Sequence, residues 1–228
     1  LKAEDNDFEM YVMLGVWIDC QNAWTDTSPN HDAENEEANT SEIQRAVDLT
    51  NKHPDIVKII AVGNEAMVKW AASYFVQPNV ILKWVNHLQE LKKTNKLDKD
   101  LWITSSDNFA SWGGGDPLYH CEDLENLIKA VDYVSMHTYP MHDTHYHPVF
   151  WGTDTEEVNL SKKEIVERAM QRSVTYAKMQ YDSSAKYIHS IDSTKEIHIG
   201  ESGWASASAG FYGANGSKAC DEYKEGLY

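Results

Sequence analysis

The sequence predicts an α/β fold in which parallel strands alternate with helices. Five short apolar runs indicate strands, and several of them are almost continuously apolar, as expected where helices cover both faces of a parallel sheet. Longer amphipathic stretches separate these runs. Repeated strand-helix-strand units of this kind either close as a (β/α)8 barrel or stay open as a doubly wound sheet. The five predicted strands are residues 10–18, 56–62, 101–104, 131–136 and 196–199.

Three helices are predicted between these strands. Pro78 suits the first turn of a helix, where a backbone N–H has no partner to lose, and the residues after it keep a helical apolar period. Ser161 and Glu164, in the sequence SKKE, form a capping-box pattern at the start of a second helix. A third helix is predicted near residues 41–49.

Two stretches are predicted to be loops. Residues 19–42 are dense in Asp, Glu and Asn, which is typical of a solvated face. Residues 111–117, SWGGGDP, are rich in glycine but lack the Lys and Ser/Thr of a phosphate-binding loop, and we interpret them as a flexible rim loop. The chain contains neither GxGxxG nor a Walker sequence.

Composition and charge exclude several classes of function. The 228 residues include 36 acidic and 20 basic side chains, and the formal charge of −16 repels nucleic acids and anionic membrane surfaces. The longest apolar run, residues 11–18, is far shorter than the roughly 20 residues that span a bilayer. Cys20, Cys121 and Cys220 are too few and too scattered for a disulfide framework or a CxxC metal site. We therefore expect no nucleic-acid partner and no membrane insertion.

Polar residues follow four of the predicted strands, where the chemistry of a barrel belongs. Glu65 and Glu201 stand out because each follows its strand directly and each lies in a turn-like sequence, VGNEAM or IGESGW, in which glycine precedes the polar group. Such a pair suits glycoside hydrolysis, in which one carboxyl group protonates the leaving oxygen and the other attacks the anomeric carbon or activates water. Taken singly, each glutamate could instead cap a helix or pair with Lys or Arg. The polar strand ends are Asn64-Glu65, Asp107-Asn108, His137 to Tyr139, and Glu201.

Three motifs in the chain resemble glycoside hydrolase family 17, whose members act on β-1,3-glucans: VGNE at 62–65, HTYP at 137–140 and GESGW at 200–204. The sequences of residues 12–19 and 70–89 also resemble those of the microbial branch of that family. The resemblance implies that residues 1–228 form a single (β/α)8 TIM barrel domain with a retaining mechanism. It also implies that the five predicted strands are strands three to seven, so we expect an incomplete barrel, lacking the first two strands and the last, that additional polypeptide completes.

The resemblance implies a role for five residues. Glu65 would be the general acid/base and Glu201 the nucleophile, with carboxyl groups about 5 to 5.5 Å apart as retaining enzymes require. Asn64 would hold the sugar hydroxyl next to the reacting carbon, and Tyr139 would point at the nucleophile. Trp204 would be a flat platform for a glucose ring, or else a packed aromatic of the barrel rim. No cofactor is implied, because the two carboxyl groups supply both the proton and the nucleophile.

Alternatives to glucan hydrolysis remain open at this point. Glucan transfer shares the glycosyl-enzyme intermediate and differs only in whether water or a sugar hydroxyl resolves it. A non-catalytic glucan-binding barrel would keep the cleft without turnover. A zinc site is a further reading, although the histidines have no helical spacing and HExxH is absent. Its candidate ligands are His137, His142, Asp143, His145 and His147.

The location of the protein cannot be inferred from its first residues, LKAEDNDFE, which contain neither an initiator Met nor an apolar signal region. The resemblance favours a secreted or cell-envelope protein whose partner is a β-1,3-linked polysaccharide or oligosaccharide.

Overall fold

The computed structural model describes residues 9–144, 147, 150 and 156–203. These residues belong to two compact units. The first unit contains the described residues up to Met136 together with Ser184–Gly200, and the second contains those of His137–Ser183 together with the described residues from Glu201.

Seven strands and five α-helices occur in the part of the chain that the structure describes. The strands are β1 (Val12–Val16), β2 (Cys20–Gln21), β3 (Asn30–Glu34), β4 (Val57–Asn64), β5 (Trp102–Asn108), β6 (Val134–His137) and β7 (Ile197–Glu201). The helices are α1 (Glu36–Lys52), α2 (Pro78–Lys93), α3 (Glu122–Ala130), α4 (Pro140–Thr144) and α5 (Lys162–Ile191).

The five predicted strands form one sheet in the order β1-β4-β5-β6-β7. β4 pairs in parallel with β1 on one side and with β5 on the other. Thr104 Oγ1 donates to the Tyr133 carbonyl at 2.6 Å, and the hydroxyls of Ser106 and Ser135 lie 2.9 Å apart, so β5 and β6 advance in the same direction. The predicted α/β fold is therefore confirmed, and a five-stranded sheet is compatible with an incomplete barrel.

The core of the first unit lies between this sheet and the helices that cover it. α1 packs on β1 and β4, and α2 packs on β4, β5 and α3. Apolar side chains from the strands and the helices pack together there and are fully buried. Burial of each such side chain stabilises the folded state by about 1.5 to 3 kcal/mol. Fully buried examples are Ile60, Val62, Ile81, Leu88, Ile103 and Leu124.

The prediction of a loop over residues 19–42 is wrong in two places. β2 and β3 form an antiparallel hairpin, and α1 begins at Glu36, five residues before the predicted start at residue 41. The hairpin has no apolar alternation, and its last residue is held by side chains: Trp84 Nε1 donates to Glu34 Oε2 at 2.7 Å, and Asn39 Nδ2 donates to the same oxygen at 3.2 Å. Contacts with α1 and α2 therefore fix a segment whose composition indicates a solvated loop.

The glycine-rich segment 111–117 is also not a flexible rim loop throughout. Ala110–Gly114 form a π-helical turn in which Trp112 is fully buried and donates its indole N–H to the Ser135 carbonyl at 3.0 Å. Gly113 has a φ of +85°, and a side chain there would collide with Tyr187. Burial of one large aromatic side chain thus fixes the turn, and the glycines permit it.

The predicted helices are present, with different bounds, and α3 and α4 are additional to them. The capping box predicted at Ser161 is confirmed, because Glu164 Oε2 accepts from the Ser161 N–H at 3.0 Å and its N–H donates to Ser161 Oγ at 3.3 Å. No helix within the described residues is long and apolar enough to cross a membrane.

Polar contacts connect α4 and α5 inside the second unit. Gln180 on α5 donates to Asp143 Oδ2 at 2.8 Å and accepts from the hydroxyl of Thr138, which directly follows β6. All three side chains belong to the part of the chain that follows β6, from Thr138 to Gln180 on α5. Their hydrogen bonds hold the residues around Tyr139 in a defined position.

Candidate active site

Glu65 occupies a strained turn at the C-terminal end of β4. Gly63 has a φ of +80°, and a Cβ there would lie 2.9 Å from that of Ala66, so only glycine fits. Glu65 itself has a φ of +46°, in the left-handed region that costs a residue with a Cβ roughly 1 to 2 kcal/mol. Its N–H donates to the Ser106 carbonyl at 2.9 Å. The turn ends β4 abruptly and leaves Glu65 half-buried.

Two hydrogen bonds just after Glu65 hold this turn in place. The Val76 N–H donates to the Ala66 carbonyl at 2.7 Å, so residues 66–76 form a closed loop. The Met67 N–H donates to Asp107 Oδ2 at 2.8 Å. Backbone strain persists where surrounding contacts over-determine it, and such sites are often functional.

Asp107 is a second carboxyl group near Glu65, at the C-terminal end of β5. It is fully buried and accepts backbone hydrogen bonds from Met67 and from Asn108, both at 2.8 Å. Burial raises the pKa of Asp107 to about 7, against the lowering effect of these hydrogen bonds, and the negative charge of Glu65 adds to the rise. The sequence marks Asp107 as a strand-end residue but gives no sign that it is buried.

Glu201 ends β7 and has hydrogen-bonding neighbours in the second unit. The Tyr139 hydroxyl donates to Glu201 Oε2 at 2.8 Å, and His137 Nδ1 lies 3.4 Å from the same oxygen. The Thr138 N–H donates to the Glu201 carbonyl at 3.0 Å, which fixes the backbone of β7 beside the residues that follow β6. The Glu201 side chain stays 40% exposed, so one carboxylate can be both positioned and accessible.

The structure brings some of the predicted site residues together. Asn64 is the exposed last residue of β4 and adjoins Glu65, while Tyr139 contacts Glu201. Trp204 lies outside the described residues. The separation of the Glu65 and Glu201 carboxyl groups stays a prediction, because these residues belong to different compact units.

The candidate zinc ligands among residues 137–147 include histidines in different surroundings. His137 is fully buried beside Glu201, a neighbour that the sequence does not reveal because it depends on the pairing of β6 with β7. His145 lies outside the described residues. Among the residues that the structure describes, no group of three or more His, Cys, Asp or Glu side chains could hold a metal ion.

Comparison with known proteins gives one close similarity. No protein-family model matches the chain, and no curated protein sequence matches it. A solved structure, that of an endo-laminarinase from Formosa Hel1_33_131, is similar at 68% sequence identity with a TM-score of 0.92. The similarity covers 99% of this chain and 57% of that chain, so the present sequence spans less than two thirds of the length of its relative.

A second solved structure is only distantly similar. It is a glycoside hydrolase family 17 β-1,3-glucanosyltransferase from Rhizomucor miehei, at 16% identity and a TM-score of 0.44, covering 89% of this chain and 53% of that one. The similarity to the endo-laminarinase is therefore much stronger than the similarity to this second structure. Over nearly its whole length, the chain is similar in sequence and in structure to an endo-laminarinase.

Proposed function

We propose that this protein is a retaining glycosidase that hydrolyses β-1,3-glucan, with laminarin as a representative substrate. The observation that carries the proposal is the 68% identity to an endo-laminarinase over 99% of the chain. Two partly exposed glutamates, Glu65 just after β4 and Glu201 at the end of β7, support it, because glycoside hydrolysis requires two carboxyl groups. By the same similarity we propose endo action.

Glu201 is the proposed nucleophile. Its carboxylate attacks the anomeric carbon, the bond from that carbon to the leaving oxygen breaks, and a covalent glycosyl-enzyme forms. The hydroxyl of Tyr139, 2.8 Å from Oε2, orients this carboxylate and satisfies one of its oxygens. His137 supports the same oxygen from the buried side.

Glu65 is the proposed acid/base. It gives its proton to the leaving glucosyl oxygen in the first step and takes one from water in the second, so that each step begins from the protonation state that the other leaves. Asn64 is proposed to bind the sugar hydroxyl next to the reacting carbon, and Trp204 is proposed as a platform for a glucose ring. The left-handed turn at Gly63 and Glu65, which ends β4, supports a fixed backbone position for this acid/base.

The test is incubation with laminarin, beside cellulose and mixed-linkage glucan, with sizing of the products over time. Endo hydrolysis predicts a rapid fall in chain length and products of several sizes, whereas exo action releases one small product from the start. Products longer than the starting chains would indicate glucan transfer. Proton NMR of the first product identifies its anomeric configuration, and an inverted anomer would exclude the retaining mechanism.

Labelling with a fluorosugar assigns the roles of the two glutamates. A 2-deoxy-2-fluoro glucoside traps the glycosyl-enzyme, and peptide mapping is expected to find the label on Glu201. A label on Glu65 would reverse the assignment. No turnover of any β-1,3-glucan together with tight laminarin binding would identify a binding protein instead of an enzyme.

A further inference from the structure

Three aromatic side chains form a cluster beyond the end of β1, which we call the aromatic cluster: the exposed Trp17 and Trp24 and the half-buried Tyr74. The ring centroids of Trp24 and Tyr74 are 5.3 Å apart and nearly parallel, at 21°. Trp17 is inclined by 41° to Trp24 and by 44° to Tyr74. Trp24 remains 63% exposed and Trp17 39% exposed, so part of each indole is accessible to a ligand.

The backbone holds Trp24 in this exposed position at a conformational cost. Asn22 and Trp24 have φ angles of +64° and +61°, a left-handed conformation that is unusual for a bulky aromatic residue. Ala23, between them, is buried, and Thr25 Oγ1 donates to the Asn22 carbonyl at 2.8 Å. A turn that stores strain and still exposes an indole ring is a candidate for function.

Backbone contacts connect the aromatic cluster to the Glu65 turn. Cys20, on β2, donates its N–H to the Tyr74 carbonyl at 3.1 Å, and Tyr74 belongs to the loop that the bond between Val76 and Ala66 closes. Burial raises the pKa of Tyr74 to about 12, and the negative charges of Glu65 and Asp107 add to the rise. Tyr74 therefore belongs to the same closed loop that begins directly after the proposed acid/base.

The hairpin next to the aromatic cluster is fixed to the same loop. The His31 ring stacks on the Phe75 ring with centroids 3.7 Å apart, and His31 Nδ1 lies 2.9 Å from the Phe75 carbonyl oxygen. With the bond from Cys20 to Tyr74, two successive loop residues are held by β2 and β3. The hydrogen bonds and the stacked rings thus fix the backbone that carries the aromatic cluster, which reduces the conformational entropy that the protein would lose on binding a ligand.

We infer that the aromatic cluster is a binding platform for glucosyl units of a β-1,3-glucan. These units belong to the same glucan chain as the bond that is cleaved at Glu65 and lie further along it. The inference rests on the proposed function. Pyranose rings present C–H faces that pack on aromatic rings, while their hydroxyls stay in contact with water. Two rings inclined by 41° suit the turning of successive units in a curved β-1,3-linked chain better than the coplanar faces of a β-1,4-linked ribbon.

The test compares Trp24→Ala with Trp24→Phe and with Trp102→Ala as the matched control. Trp102 is a 43% exposed tryptophan at the opposite, N-terminal end of β5. We expect Trp24→Ala to raise KM for long laminarin chains about 10-fold with little change in kcat, because the lost contacts are equal in ground state and transition state. Trp24→Phe should recover most of the loss, and the defect should grow with the chain length of the substrate.

Binding to the inactive Glu201→Gln protein separates the platform from catalysis. Laminarihexaose binding, measured by calorimetry, should weaken about 10-fold on adding Trp24→Ala, and any cellohexaose binding should change less. If the wild type cleaves laminarin and neither Trp17→Ala nor Trp24→Ala changes the KM for laminarin, the aromatic cluster is not a binding platform. The proposed function would still stand. A wild type that neither binds nor cleaves laminarin would overturn both.

Discussion

The surroundings of Glu65 and of Glu201 differ, although both residues lie at the C-terminal end of a strand with a glycine one or two residues before them. Glu65 is held through its backbone, in a left-handed turn, and its titratable neighbours include the buried carboxyl group of Asp107 and the phenol of Tyr74. Glu201 is held through its side chain, by a hydroxyl and an imidazole that share Oε2.

This difference suits two different chemical tasks. A nucleophile must stay ionised and correctly aimed, which direct hydrogen bonds to the carboxylate accomplish. An acid/base must change its protonation state in every cycle, and the fixed backbone turn holds Glu65 at the end of β4 through both states. The backbone turn at Glu65 and the side-chain hydrogen bond at Glu201 therefore support their separate proposed roles.

The largest expected effect is the loss of the nucleophile. Glu201→Ala should lower kcat on laminarin by about 10⁴-fold or more, because no covalent intermediate can form. Initial rates measured at saturating laminarin provide the test. A residual rate within 10-fold of the wild type would remove Glu201 from the mechanism, provided that circular dichroism shows the variant to be folded.

Removal of the acid/base should have a smaller effect that depends on the substrate. Glu65→Ala should lower the rate on laminarin by about 10² to 10⁴-fold, because the leaving oxygen then departs without a proton. On a dinitrophenyl β-laminaribioside, whose leaving group needs no proton, formation of the glycosyl-enzyme should survive. Added azide should then restore breakdown and release a β-glycosyl azide.

The same azide experiment on Glu201→Ala is the control for these roles. That variant lacks the nucleophile, so azide can only attack the substrate directly, and an α-glycosyl azide is the expected product. Formation of the β-azide by the Glu201 variant and the α-azide by the Glu65 variant would exchange the two assignments.

The sequence predicts the strands well and their surroundings poorly. β4 is predictable because Ile60, Ala61 and Val62 are buried in succession, on both faces of the sheet, and leave a continuous apolar signal. β5 is predicted only in its first part, because its last five residues, Thr104 to Asn108, are polar. The β2 and β3 hairpin leaves none, because a side-chain network around Glu34 holds it. The chemistry of the site divides in the same way.

Glu65 and Glu201 are predictable as site candidates because each lies at the end of a predicted strand. Their neighbours are not, since His137 reaches Glu201 only through the pairing of β6 with β7, and Asp107 reaches the Glu65 turn only through a hydrogen bond across 40 residues. Long-range pairing is what a single sequence conceals.

The buried carboxyl group beside Glu65 should make stability depend on pH. The pKa of Asp107 is about 7 in the folded protein and near its ordinary 3.8 in the unfolded chain, so between these values the folded state binds the extra proton. The free energy of unfolding should therefore fall as pH rises from about 4 to about 7 and level off above that. The expected change is on the order of 4 kcal/mol.

Urea unfolding at several pH values between 4.5 and 8 measures this dependence. In Asp107→Asn, the free energy of unfolding should no longer fall by this amount as the pH rises. In Asp26→Asn, which replaces an exposed carboxylate, it should fall as in the wild type. Identical pH dependence in the wild type and in Asp107→Asn would contradict the buried, protonated state of Asp107.

The smallest expected effect comes from the surroundings of Glu201. Tyr139→Phe removes the hydroxyl that donates to Oε2 and leaves the ring in place, so packing is conserved. A hydrogen bond to a charged group contributes about 1.5 to 3 kcal/mol, which corresponds to a loss of roughly 10- to 100-fold in kcat/KM on laminarin. Because His137 still lies 3.4 Å from the same oxygen, the loss should stay well below that of Glu201→Ala. Thr138→Val, which removes a buried hydroxyl that bonds to Gln180 and not to Glu201, is the matched control and should alter stability more than kcat/KM. Equal kinetic losses in these two variants would mean that Tyr139 acts through the general order of the second unit and not through its bond to the nucleophile.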